Sequence, residues 1–264
     1  MDILQAILLG IVQGLTEFLP VSSSGHLIIA KELLGVTTPE NVVFEVVVHA
    51  ATVLSTITVL WKTLWNLIVK FFKFEWNPET QYICKILVSM VPVMIVGLFF
   101  KDTVEQLFGE GLLLVGYMLL LTAALLSLTH FIKYKERKEI GFGSAFLIGL
   151  SQAIAVLPGL SRSGTTISTG LILGLKKEEA AKFSFLMILI PILGECFLGL
   201  VGGEFSVANS GIPTPALIAG FFAAYISGLL ACKFMIEMVK RVSLLWFAAY
   251  CVIAGILAIT GGLW

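Results

Sequence analysis

Gln13-Gly14-Leu15-Thr16-Glu17-Phe18-Leu19-Pro20-Val21-Ser22-Ser23-Ser24-Gly25-His26 decides how this chain folds. The window gathers an amide, a carboxylate, three consecutive serines and an imidazole between the apolar runs Ile7-Leu8-Leu9 and Leu27-Ile28-Ile29. Polar groups inside such a segment are costly and point to function. Residues 2–18 are apolar and helical in pattern. Leu19-Pro20 ends that pattern, because proline disfavours helix in the residue before it and has no N–H to donate. Ser22, Ser23 and Ser24 then offer N-caps for a second helix, from about Gly25 to Leu34. That arm is too short for roughly 30 Å of hydrocarbon, and it carries Lys31-Glu32 near its end. The pattern predicts a re-entrant hairpin. Its irregular backbone is tolerated at membrane depth only inside protein or beside a water-filled cavity.

The remainder of the chain fits that setting. Of 264 residues, 58% are hydrophobic and 13% charged, with a mean hydropathy of +1.00, against roughly 25% charged in a soluble domain. Long continuous apolar runs predict an all-α integral membrane protein and argue against a β-barrel. The chain opens Met1-Asp2 with no basic region and no small-residue cleavage site, so the start is read as mature structure and not as a signal peptide. Cys84, Cys196, Cys232 and Cys251 lack metal-ligand spacing and are expected to be buried thiols. The zero formal net charge identifies no partner, and no nucleic acid is expected.

Spans are expected at about 43–61, 82–100, 111–132, 181–203, 214–236 and 243–262, with a partly amphipathic interfacial segment at 62–80 and a basic loop at 133–139. A second hairpin is expected over about 142–175, broken at Pro158-Gly159, in Gln152-Ala153-Ile154-Ala155-Val156-Leu157-Pro158-Gly159-Leu160-Ser161-Arg162-Ser163-Gly164-Thr165-Thr166. A shift of 139 residues superimposes the halves without a gap. It places Gly10, Gln13, Ser22, Ser24, Gly25, Ile28, Leu34, Gly35, Glu40 and Phe44 on Gly149, Gln152, Ser161, Ser163, Gly164, Ile167, Leu173, Gly174, Glu179 and Phe183. The reading is one membrane domain, 1–264, built of repeats 1–139 and 140–264, each a re-entrant hairpin plus three spans. An odd number of crossings per repeat makes the second copy inverted.

Charge placement tests this independently. One side receives Lys62, Lys70, Lys73, Lys85, Lys133, Lys135, Arg137, Lys138, Lys176, Lys177, Lys182, Lys233, Lys240 and Arg241, the other only Lys31 and Lys101. The crowded side is cytoplasmic by the positive-inside rule, so the first hairpin enters from outside and the second from the cytoplasm.

The two turns are expected to meet inside the membrane, where the N-termini of their short second helices would present free N–H groups and dipole ends to one anion. Arg162 adds a guanidinium fork suited to phosphate oxygens, with the hydroxyls of Ser161, Ser163, Thr165 and Thr166 around it. Ser163 and Thr165 are read equally well as packing residues. Gln13 and Glu17, at i and i+4, share one helix face. Glu17 is either a ligand of Mg²⁺ or Ca²⁺, with Gln13 as a neutral second ligand, or a general base. A structural Glu17–Arg162 pair is the plainer alternative. Ser23 beside His26 permits nucleophilic attack on phosphorus, and His26 acting on water or on a leaving oxygen is equally open. His130 is read as structural. Glu45 and His49, at i and i+4, are either a pair that supports the site or a buried structural pair, and only Glu45 is favoured as a support.

These residues resemble the undecaprenyl-diphosphatase family associated with bacitracin resistance, marked by a Glu/Gln-x-x-x-Glu motif leading to a Ser-Ser-x-Gly-His turn and by Pro-Gly-x-Ser-Arg-Ser-x-x-Thr. Here they stand as Gln13 to Glu17, Ser22 to His26 and Pro158 to Thr166. Gln13 stands where many relatives have Glu, which leaves one fewer charge for a metal. The resemblance implies hydrolysis of undecaprenyl diphosphate to undecaprenyl phosphate and phosphate, recycling the lipid carrier of cell-wall synthesis. It also implies a bacterial inner-membrane location, a site open to the outer face, dependence on a divalent cation and a homodimer. By position it makes Glu17, Ser23, His26 and Arg162 the catalytic core, with Gln13, Ser22, Ser161, Ser163 and Thr166 binding substrate. The Ser-Gly-His and Ser-Arg pieces are also similar to acid-phosphatase-like lipid phosphatases, whose other motifs are not evident here. The competing class is a transporter, because inverted repeats with broken helices are a transporter pattern and could flip a phosphorylated lipid. A Ser/His/Glu/Arg cluster favours chemistry.

Overall fold

The computed structural model describes residues 1–36, 42–108, 111–132, 139–201 and 211–263, and among these the chain is helical with no strand. The first two helices are α1 (Ile3–Phe18) and α2 (Ser23–Leu33). Asp2 and Gln5 close a capping box at the start of α1. α1 ends at Leu19, which is extended ahead of Pro20 as proline requires. Ser22 caps α2, so this helix begins at Ser23, two residues earlier than the pattern suggested.

α3 (Val42–Val59) and α4 (Trp61–Phe71) follow, bent by 79° at the break. α4 exposes Trp61 and Trp65, whose rings stack at 5.7 Å, and it carries Lys62 and Lys70. The segment expected to be partly amphipathic is thus helical over Trp61–Phe71. α5 (Pro78–Phe99) is capped by Asn77. The short α6 (Lys101–Phe108), which the apolar pattern did not announce, leads to α7 (Gly111–Phe131). In the second half α8 (Phe142–Ile154) and α9 (Arg162–Ile172) flank the second turn. The expected span at 181–203 is two helices, α10 (Lys177–Met187) and α11 (Leu189–Val201). Pro191 explains the break: it has no N–H for the carbonyl of Met187, and its ring crowds that carbonyl. α12 (Thr214–Arg241) and α13 (Leu245–Gly261) complete the chain. The basic segment 133–138 and Glu40 lie outside the described residues.

α5, α7 and α12 are each long and apolar enough to cross a bilayer, and the bent α3–α4 pair passes the same test as a unit. Large apolar side chains cover their outer faces, among them Leu98, Phe99, Phe222 and Leu230. Soluble monomers do not expose contiguous apolar surface on this scale. This is a multi-pass membrane protein.

The two broken hairpins are held by close backbone approaches. α1 lies along α12, and α8 lies along α5. A Cβ on Gly14 would stand 2.5 Å from the Ala224 carbonyl, and one on Gly149 would run into the Ser89 carbonyl. α12 also packs on α3, and α13 on α7. Phe44 and Phe183, which coincide under the 139-residue shift, are both 1% exposed. At the far ends of α10 and α12, Glu178 accepts from Lys182 at 2.8 Å and pairs with Lys240 at 3.2 Å. The lysine hydrogen bonds, Lys182 first, hold its carboxyl below the usual carboxylate range.

Candidate active site

The tips of the two hairpins meet. Ser163 Oγ donates to the Leu19 carbonyl at 3.0 Å, and Gly159 N–H donates to Ser24 Oγ at 3.4 Å. Gly159 has φ +89, and a Cβ there would stand 2.7 Å from Val115 Cα, so the second turn depends on glycine. The Cys251 thiol donates to the Pro20 carbonyl at 3.7 Å and ties the first turn to α13.

Each short helix begins with a serine cap aimed at its own first turn. Ser22 Oγ accepts from Gly25 N–H at 3.2 Å, and Ser161 Oγ accepts from Gly164 N–H at 3.0 Å. The other first-turn N–H groups have no intrahelical acceptor. Ser22 sits at φ 72, ψ 101, a conformation that costs a non-glycine residue about 1–3 kcal/mol and tends to occur at functional turns. Ser161 N–H donates to Thr122 Oγ1 at 3.1 Å. Thr166 Oγ1 contacts Ser184 Oγ at 2.6 Å and donates to the Arg162 carbonyl at 2.8 Å.

Glu17 is the hub. Its carboxylate accepts from Ser23 Oγ at 2.6 Å, from Gln13 Nε2 at 2.9 Å and from Arg162 Nη2 at 3.1 Å. With its side chain only 5% exposed, it needs these donors to remain ionised. His49 Nε2 lies 3.8 Å from Glu17 Oε2 and 3.5 Å from Arg162 Nη2. The Glu17–Arg162 pair is therefore present, and its atoms face a polar space lined by Ser22, Ser23, Ser24 and Ser161.

The partner of the Ser23 hydroxyl is Glu17, while His26 is engaged elsewhere. His26 Nδ1 stands 2.8 Å from the Ser22 carbonyl, which can only accept, so Nδ1 carries the proton. The unprotonated Nε2 accepts from the Tyr250 hydroxyl at 2.7 Å, and the two rings stack at 5.6 Å. One participant escaped the sequence reading, and a second was passed over for its neighbour. Tyr250 lies 224 residues from His26 with no local signal. His49 was visible as the i+4 neighbour of Glu45, yet His49 is the one at the site, whereas Glu45 pairs with Lys31.

Among the described residues no group of three or more His, Cys, Asp or Glu could hold a metal. The site does offer the Glu17 carboxylate and Gln13 Oε1, a buried carbonyl oxygen without a hydrogen-bond partner. One carboxylate plus one neutral oxygen suits a cation such as Mg²⁺ that takes its other ligands from water and substrate phosphates.

Residues 6–257 match the family model described as bacitracin resistance protein BacA. The chain is similar to the undecaprenyl-diphosphatase of Bacteroides fragilis, at 55% identity over 262 residues that cover 98% of each chain. It is 56% identical to that of Parabacteroides distasonis over 258 residues, covering 97% of this chain and 96% of the relative. With that of Methanosphaera stadtmanae it shares 40% identity over 276 residues, covering 98% of each. A chain matched over nearly its whole length, with both turns converging on one carboxylate, belongs to the bacitracin resistance protein BacA family.

Proposed function

We propose that this protein hydrolyses undecaprenyl diphosphate to undecaprenyl phosphate and inorganic phosphate, recycling the lipid carrier of peptidoglycan synthesis and thereby conferring bacitracin resistance. The observation that carries this reading is the Ser23–Glu17–Arg162 chain of contacts at 2.6 and 3.1 Å, formed between two capped helix N-termini. Dipole ends and a guanidinium bind a diphosphate, and a hydroxyl already donating to a carboxylate is set up for attack on it. Flipping a lipid would need the first feature but not the second.

In this mechanism Ser23 Oγ attacks the terminal phosphorus while its proton passes to Glu17. The bond from phosphorus to the bridging oxygen breaks, and the electron pair leaves with undecaprenyl phosphate. Arg162 and the first-turn N–H groups stabilise the phosphoryl charge. In the second step water attacks the Ser23 phosphoester and gives its proton to the Tyr250 oxygen, while the Tyr250 hydroxyl proton passes to His26 Nε2, to which it already donates. Glu17 returns its proton to Ser23 Oγ as phosphate departs. Ser23 and His26 share a face of α2 at i and i+3. Ser22 orients His26 through its carbonyl, and Ser161, Ser163 and Thr166 shape the second turn. A divalent cation, Mg²⁺ or Ca²⁺, would be held by Glu17 and Gln13 and would neutralise diphosphate charge.

The same proposal includes the six-span inverted repeat, with halves at 1–139 and 140–264. Its support is the exchange of packing partners under the repeat: α1 with α12 corresponds to α8 with α5. The charge asymmetry supports an orientation in a bacterial inner membrane with the site toward the periplasmic side, and the family resemblance supports a homodimer. The test is phosphate release from a polyprenyl diphosphate by purified protein with and without Mg²⁺, beside Ser23→Ala. The proposal expects metal-dependent turnover, reduced in the variant by about 10²-fold or more. A fully active Ser23→Ala protein would eliminate the serine step and leave water as the nucleophile.

A further inference from the structure

A second compartment, of mixed polar and apolar lining, shares Glu17, Arg162 and Ser163 with the serine-lined space; Gln152, Thr52, Thr56, Thr166 and Ser184 supply its other polar groups, against Phe18, Val53, Phe185, Ile188 and Ile192. Gln152 is its distinctive member. It is 2% exposed, and its Nε2 has no hydrogen-bond partner. Under the 139-residue shift Gln152 is the counterpart of Gln13, whose Nε2 donates to Glu17 at 2.9 Å. The counterpart of Glu17 in the second half is Val156, so Gln152 has no carboxylate one turn along its own helix to meet. A buried amide donor without an acceptor is costly unless a ligand supplies one.

The other groups indicate the kind of ligand. Arg162 has five N–H donors, and the contact with Glu17 uses Nη2. The Glu17 carboxylate on this wall is already neutralised by Arg162 and further satisfied by Ser23 and Gln13. Ser184 and Thr166 add hydroxyls that can turn toward a guest. Amide, guanidinium and hydroxyl donors without an uncompensated carboxylate suit a tetrahedral oxyanion.

We infer that this compartment binds inorganic phosphate after cleavage, with Gln152 as its amide donor. The inference rests on the phosphatase reading and extends it to the fate of the second product. The lipid product is retained by its chain, whereas phosphate has no anchor and needs a polar route. Arg162 borders both spaces, so phosphate can move from one to the other without leaving its cation.

The experiment measures polyprenyl diphosphate hydrolysis in detergent with inorganic phosphate added as inhibitor. Gln152→Leu is expected to weaken phosphate inhibition by about tenfold while KM stays within about twofold. Gln152→Glu, nearly isosteric and acidic, is expected to weaken it further, which guards against a poorly folded leucine variant. Unchanged phosphate inhibition in both variants overturns the inference. So does a parallel rise in KM and the inhibition constant, which would assign Gln152 to the substrate's own terminal phosphoryl group. If wild type releases no phosphate, the phosphatase reading itself fails. Line broadening of the ³¹P signal of inorganic phosphate by wild type, lost in Gln152→Leu, still reports on the compartment in that case.

Discussion

Replacing Glu17 by glutamine separates its chemical role from its structural one. The carboxylate collects Ser23 at 2.6 Å, Gln13 at 2.9 Å and Arg162 at 3.1 Å. Glutamine keeps the shape and one acceptor oxygen, so the Ser23 contact can survive while the ability to take its proton is lost. General-base catalysis contributes about 10²–10⁴-fold, equivalent to about 2.7–5.4 kcal/mol in the barrier. The structural cost is read separately. Glu17 is buried, while the Arg162 side chain is 27% exposed and can rehydrate, so loss of the ion pair costs less than the roughly 3–5 kcal/mol of a fully buried pair. The expected outcome is a fall in kcat of about 10²-fold or more in protein that still unfolds cooperatively, at a lower midpoint. Phosphate release and unfolding would be measured on the same detergent preparation. A kcat within about threefold of wild type would refute the base assignment. Equal losses of folded protein and of activity would reduce Glu17 to a structural partner of Arg162.

Two further predictions concern the supports of the site. Tyr250→Phe keeps the ring stacked on His26 but removes the 2.7 Å hydrogen bond to Nε2. A net value of about 0.5–1.5 kcal/mol for that bond predicts a fall in kcat of about 2- to 10-fold with little change in KM, and an unchanged kcat would free His26 from Tyr250. Gly14→Val puts a side chain where a Cβ already stands 2.5 Å from the Ala224 carbonyl. Overpacking of this kind costs about 1–3 kcal/mol, read as a lower unfolding midpoint, and unchanged stability would mean that α1 and α12 can separate.

The two helix breaks were legible in the sequence because proline, serine caps and apolar flanks act locally. Leu19-Pro20 and Ser22 determine the first turn whatever surrounds them. That the two turns meet was expected from their polar motifs, whereas the direct Glu17–Arg162 contact was only the alternative reading, since 145 residues separate the two and only packing joins them. Tyr250 was invisible for the same reason. It lies on an apolar helix in which nothing distinguishes it from a lipid-facing tyrosine. Ser23 and His26 look like partners in the sequence, but the backbone at Ser22 turns the imidazole toward its own carbonyl and leaves Ser23 to Glu17. The division of the 181–203 run rests on Pro191, a single signal inside an otherwise continuous apolar run.

The central claim is that the meeting point of the two turns cleaves a diphosphate bond. Its most direct test is inorganic phosphate release by the purified wild-type protein, offered a polyprenyl diphosphate and, separately, the corresponding monophosphate. Phosphate release from the diphosphate alone is the predicted result. Absence of release from well-folded protein in the presence of Mg²⁺ would contradict the claim and make flipping of a phosphorylated lipid in liposomes the next activity to measure.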